Sequence, residues 1–144
     1  MAALSTQHRS LKILIAEDDN VSRKLLSMLL KKLVGCEPDL VATADEASAK
    51  ARNNDYDLIF MDYNMPGSSG ADAVKMIRRD AELGKQPYII GLSASFGDGH
   101  DLFLNAGIDE YISKPITLQR LKSVFSAGDD SFIGNVSALS NVES

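Results

Sequence analysis

Short, mostly apolar runs alternate five times with amphipathic stretches between residues 11 and about 125, and this rhythm admits few architectures. The first run, Leu11-Lys12-Ile13-Leu14-Ile15-Ala16, is β-branched and almost wholly apolar, as a strand covered on both faces must be. Leu58-Ile59-Phe60-Met61 and Tyr88-Ile89-Ile90-Gly91-Leu92 share that character, while Leu40-Val41-Ala42 and Tyr111-Ile112 are weaker versions of it. The intervening spacing predicts helices. One covers 21–34, with apolar positions at 21, 25, 28, 29 and 33 and Gly35 as its terminator. An alanine-rich helix covers 44–53, and another covers 71–83 with Val74, Ile77 and Ala81 on one face. A glycine-weakened helix over 97–106 ends at Gly107, and a last one spans 117–125. Five strand–helix repeats predict an α/β domain: a five-stranded parallel sheet with helices on both faces, doubly wound.

At 144 residues the chain has room for one such domain, expected over 11–125, with a short N-terminal extension over 1–10. Residues 126–144 are rich in Ser, Gly, Asn and Asp, contain no basic residue, and read as a flexible tail or linker. The net charge of −5, with no block of Lys or Arg, argues against nucleic-acid binding. No apolar run is long enough to cross a bilayer, and the amino end lacks the apolar core of a secretion signal, so a cytoplasmic location without membrane contact is expected. Cys36 is the one cysteine; it excludes an internal disulfide and reads as a small filler where a helix meets a loop. His8 and His100 read as isolated surface residues, not a metal pair.

In a parallel sheet of this kind the functional site lies beyond the carboxyl ends of the strands. Glu17, Asp18 and Asp19 follow the first strand, Asp62 and then Asn64 the third, Ser93 the fourth and Lys114 the fifth. Converging carboxylates repel one another unless a cation joins them, and hard oxygen donors of this type suit Mg²⁺, with Mn²⁺ as a possible substitute. A carboxylate beside such an ion can attack phosphorus, and a hydroxyl and an ammonium would stabilise the charge on the transferred group. Each residue has a plainer reading alone: Asp19 or Asn20 as a helix N-cap, Lys114-Pro115 as a turn, Ser93 as an ordinary strand end. Their joint occurrence, one after each strand, carries the signal.

The segments Ile15-Ala16-Glu17-Asp18-Asp19, Asp57 to Gly67, Gly91-Leu92-Ser93-Ala94 and Ala106 to Pro115 closely resemble the response-regulator receiver domains of two-component phosphorelays. The likeness covers about residues 11 to 125 and implies the flavodoxin-like receiver fold. It implies that Asp62 is the phosphorylated residue, with Ser93 and Lys114 as its catalytic companions. The implied Mg²⁺ ligands are Asp18 and Asp62, Glu17 acting mainly through a metal-bound water, and the backbone carbonyl of Asn64; Asp19 is not a direct ligand. Ser93 and Tyr111 would form the conformational switch. The Glu-Asp order of the acid pair and Ile116 after Lys-Pro resemble receivers of hybrid histidine kinases more than those fused to DNA-binding domains. Residues 126–144 would not hold an output domain, which fits either a piece of a hybrid kinase or a free-standing regulator. The implied partner is a histidine kinase or a histidine-phosphotransfer protein, met by a monomer or weak dimer. The isolated domain would promote its own phosphorylation and dephosphorylation and is not expected to be an enzyme by itself, although it could form part of a hybrid histidine kinase. The alternative is a phosphohydrolase of the haloacid-dehalogenase type, which also uses Asp, Ser/Thr, Lys and Mg²⁺. Its nucleophile follows the first strand, and its general acid Asp comes two residues later, where this chain has Asn64.

Overall fold

A computed structural model describes residues 11–94 and 100–126. The expected extension over 1–10, the tail from 127 onward and the start of the helix expected at Gly97 lie outside the described residues. Strands β1 (Ile13–Ala16), β2 (Asp39–Val41), β3 (Leu58–Asp62), β4 (Tyr88–Ser93) and β5 (Glu110–Ser113) form one parallel sheet in the order β2-β1-β3-β4-β5. Between and after them run α1 (Asn20–Val34), α2 (Ala44–Asn53), α3 (Gly70–Arg79), α4 (His100–Ala106) and α5 (Leu118–Ser126).

Alternation along the strands sorts side chains onto two separate cores. Ile13, Ile15, Leu58, Phe60, Ile90 and Leu92 face α1 and α5, packing on Leu26, Leu30, Leu121 and Phe125. Leu14, Ala16, Ile59, Met61 and Ile89 face α2, α3 and α4. On that side the alanines of α2, at 44, 47 and 51, let the helix lie close to the sheet. Cys36 is buried in the first core, as expected, and its thiol donates to the Leu11 carbonyl.

Local chemistry sets the helix ends. Asp19 caps α1 by accepting from the Ser22 amide, and Gly35 closes that helix at φ 68°. Reciprocal capping boxes open α2 (Thr43 with Glu46) and α3 (Ser69 with Asp72), and the Thr117 hydroxyl accepts from the Arg120 amide at the start of α5.

Two expectations need correction. The helix expected over 71–83 stops at Arg79, because Asp80 turns extended, accepts from the Glu82 amide through its own carboxylate and pairs with Arg52. Ala81 is therefore exposed instead of lining the inner face. The apolar stripe read along the first helix also divides. Leu33 is buried and Leu29 partly so, but Val21, Leu25 and Met28 face outward, while Leu26 and Leu30 take the core.

Candidate functional site

The strand order reverses between β1 and β3: the chain leaves β1 for the edge strand β2 and returns on the other side of β1. Crossovers then diverge on either side of that gap, leaving a crevice at the carboxyl ends of these two strands. Ala16 pairs with Met61, so Glu17 and Asp62, the next residues, face the same crevice. Glu17 and Asp62 are buried and Asp18 is exposed, and each can offer a carboxylate oxygen within 4.8 Å of the others. Lys114, one residue beyond β5, places its ammonium 2.6 Å from Glu17 Oε1 and 3.3 Å from Asp62 Oδ2. Its own amide donates to the Ser93 carbonyl, which ties the end of β5 to the end of β4.

Burial pushes the Asp62 carboxyl up to about 7; the neighbouring Glu17 charge adds to the rise and Lys114 opposes it. Burial pulls the Lys114 ammonium down, but the hydrogen bond to Glu17 and the charges of Asp62 and Glu17 outweigh it, leaving that pKa raised. Asp62 Oδ1 is buried with no hydrogen-bond partner. An orphaned buried carboxylate oxygen beside two further acidic oxygens suits a hard divalent cation, so the donor set fits Mg²⁺.

The sequence-predicted residues fall into two groups. Glu17, Asp18, Asp62 and Lys114 are brought together. Ser93 is buried at the end of β4, on the strand next to Asp62, whose pairing partner is Leu92. Asn64 lies in the exposed loop two residues past β3. Tyr111 is half-buried, and His100 meets its ring edge to face with centroids 4.5 Å apart. His100 is thus a packing partner of α4 on β5, not the isolated surface residue expected. Asp19 acts as a cap, with its amide donating to Glu17 Oε2 at 3.1 Å.

Three contributors carried no obvious sequence signal. Gly70 opens α3 directly against the acid strand: a Cβ there would come within 2.0 Å of the Asp62 carbonyl oxygen. A glycine at the first helical position, just after a strong capping serine, is the one hint of that approach. Arg23 in α1 donates to the Glu17 carbonyl at 2.7 Å. Arg78 binds the carbonyls of Gly107 and Pro87, the Gln86 side chain and the Asp109 carboxylate, bracing the turn that leads into β5.

Comparison with known proteins agrees with this geometry. Residues 13–126 match the family model described as "Response regulator receiver domain". The chain belongs to the response-regulator receiver family. It is 38% identical over 123 residues to hybrid signal transduction histidine kinase G of Dictyostelium discoideum, matching 84% of this chain and 4% of that protein. The chain therefore spans only a small part of that relative. The receiver domain of the Pseudomonas aeruginosa sensor kinase PA1611, solved with magnesium in its active-site cleft, superposes with a TM-score of 0.76. It is 29% identical, with 88% of this chain and 99% of that one covered. The receiver domain of yeast Ssk1, solved in complex with the phosphotransfer protein Ypd1, gives 0.70 at 27% identity, with 81% and 88% covered. As a receiver, the chain is a two-component signalling module of flavodoxin-like fold with hybrid histidine kinases among its relatives. No helix among the described residues is long and apolar enough to cross a membrane.

Proposed function

We propose that the chain accepts a phosphoryl group from a phosphohistidine onto Asp62 and passes the signal on through a change of conformation. The observation that carries this reading is Asp62 itself, buried at the end of β3 with one oxygen facing Lys114 and the other without a partner. Glu17, Asp18, Asp62 and the Asn64 carbonyl would hold Mg²⁺, or Mn²⁺ in its place. The ion would neutralise carboxylate repulsion and the charge on the transferred group.

An Asp62 oxygen donates its electron pair to phosphorus as the phosphorus–nitrogen bond of the donor breaks, and the bonding pair stays with the imidazole. Lys114 balances charge on the phosphoryl oxygens, and the Ser93 hydroxyl donates to one of them. The pull of Glu17 and Asp62 keeps Lys114 protonated for that task.

The donor is a histidine kinase or a histidine-phosphotransfer protein. The docking face expected for it surrounds the crevice, where the outward-facing Leu25 of α1 borders a hollow of about 310 Å³. Leu25, Leu26, Pro115, Ile116 and Lys114 line that hollow. An apolar face this close to Asp62 suits a helical partner presenting a phosphohistidine among apolar residues.

Intact mass before and after incubation with Mg²⁺ and a small phosphodonor tests the reading. One phosphoryl group, labile to hydroxylamine, should be gained by the wild type and not by Asp62→Asn, because an amide is not a comparable nucleophile. Equal labelling of the variant would remove Asp62 from the reaction.

A further inference from the structure

Glu17 and Asp18 sit on the short loop between β1 and α1, and three converging carboxylates tend to push that loop away from Asp62. The restraints on its backbone are few. The Glu17 amide donates to the Val41 carbonyl at 3.1 Å, and the Asp19 amide turns back onto the Glu17 side chain. Asp19 is further held as the cap of α1, and the Arg23 side chain ties the two residues before that cap. Its Nη1 donates to the Glu17 carbonyl at 2.7 Å and reaches the Asp18 carbonyl at 3.5 Å, while Nη2 donates to the Asn20 side chain. The guanidinium thus folds back over the N-terminus of α1, where the helix dipole disfavours a cation. A positive charge there also opposes the approach of a second cation to the crevice. Those two terms act against Arg23, while its hydrogen bonds and the nearby charges of Asp19 and Glu46 favour the arrangement.

We infer that Arg23 is a positioning residue for the cation site, and this rests on the proposed reading of Glu17, Asp18 and Asp62 as metal ligands. With Nη1 on the Glu17 carbonyl and within reach of that of Asp18, and Nη2 on the Asn20 side chain, the guanidinium fixes the peptide planes from which both ligand side chains leave. Magnitudes decide between its two opposed effects. Outer partners that orient metal ligands are typically worth about 10–100-fold in metal affinity. A half-exposed, screened charge changes affinity by less than about fivefold. Positioning therefore dominates, and removing Arg23 weakens Mg²⁺ binding even though it removes a repulsive charge. Lysine is a poor substitute, since a single ammonium lacks the planar fork that holds the loop carbonyls through one nitrogen and the Asn20 side chain through the other.

The test is a Mg²⁺ titration of the full chain followed by amide NMR shifts, with metal-free melting temperature measured alongside. The wild type is compared with Arg23→Ala, Arg23→Gln and Arg23→Lys. Arg23→Ala is expected to raise the Mg²⁺ dissociation constant about tenfold. Arg23→Gln, which keeps a donor without the charge, should recover part of the loss, and Arg23→Lys should recover less than a charge-only role requires. If Arg23→Ala fails to fold, the Gln and Lys variants decide between the two roles. Tighter binding by the Ala and Gln variants would show that Arg23 acts only as a repelling charge and overturn the inference. Unchanged affinity with a lowered metal-free melting temperature would make Arg23 a purely structural residue and overturn it equally. A wild type indifferent to Mg²⁺ would take down the metal reading as well, so the two failures are told apart by the wild-type titration.

Discussion

Lys114, at the end of β5, holds its ammonium 2.6 Å from Glu17 Oε1, reaching across β4 and β3 to a residue that follows β1. The contact to Asp62, the proposed phosphoacceptor, is longer, at 3.3 Å. Without a metal, Lys114 is thus the counter-ion of the acid crevice as a whole, and Glu17 holds it in place. Replacing it with an apolar residue strands two buried carboxylates. Lys114→Met is expected to cost about 2 kcal/mol in metal-free protein, less than a fully buried pair because the lysine is partly solvated. Saturating Mg²⁺ should then stabilise Lys114→Met more than it stabilises the wild type. Urea melts with and without the ion measure both increments; equal increments would mean that the ion and the lysine do not share these carboxylates.

A second expectation follows from the protonation of Asp62. Unfolded, its carboxyl releases the proton near 3.8; folded and metal-free, it retains it to about 7. Between those values the native state binds the extra proton, so this group's contribution to stability declines as pH rises through that window. Asp62→Asn removes the titration. In chelator-treated protein the variant should be more stable than wild type at pH 8, and the difference should shrink towards pH 5. A difference independent of pH, measured by denaturant unfolding, would contradict the burial-driven shift.

Gly70 permits α3 to begin against the backbone of Asp62, where a Cβ would lie 2.0 Å from the Asp62 carbonyl oxygen and 3.1 Å from the Phe103 ring. The neighbouring atom is backbone and has no rotamer by which to retreat. Gly70→Ala should therefore shift the end of β3 or the start of α3, at a cost of about 3 kcal/mol. It should also slow phosphoryl uptake, because the displaced strand carries Asp62, the proposed nucleophile. Thermal melting together with the rate of mass gain checks both; a stable variant with normal uptake would show that the two elements separate freely.

The residues of the crevice were readable because parallel strands deliver their carboxyl ends to one edge. Order along the chain then converts directly into proximity for Glu17, Asp62 and Lys114. Residues whose work is a long-range side-chain contact to backbone were not readable. Arg23 and Arg78 look like ordinary helical arginines, and nothing in their spacing marks the carbonyls they reach. The stripe on α1 failed for another reason. That helix carries two apolar faces, and a period of 3.6 cannot choose between Leu26-Leu30-Leu33 and Val21-Leu25-Met28. Of the outward-facing residues, Leu25 lines the hollow beside Lys114, so the sequence ambiguity falls on a surface apolar enough to have served as core. At α3 the helical pattern outran the helix, because the carboxylate of Asp80 competes for the local amides.

The last expectation concerns how phosphorylation at β3 reaches the surface at β5. Ser93 is buried at the end of β4, and in the β4–β5 register Ser93 pairs with Ser113 and Gly91 with Tyr111. A phosphoryl group on Asp62 adds negative charge and acceptor oxygens, which draw the Ser93 hydroxyl inward. Space opens behind it for the Tyr111 ring, which now sits half-buried and edge to face with His100 at 4.5 Å. If the ring turns inward, that stacking is lost, and the N-terminal end of α4 is released with it. The His100 imidazole proton shifts therefore report the switch, because they sense the ring current of Tyr111. Beryllofluoride, a phosphoryl mimic, should move those shifts in the wild type. Ser93→Ala should still gain a phosphoryl group, since Asp62 and its acidic neighbours are intact, yet leave the His100 shifts near their starting values. The variant separates chemistry from signalling: a full His100 response in Ser93→Ala would exclude the hydroxyl as the link, and an unmoved His100 in phosphorylated wild type would exclude Tyr111.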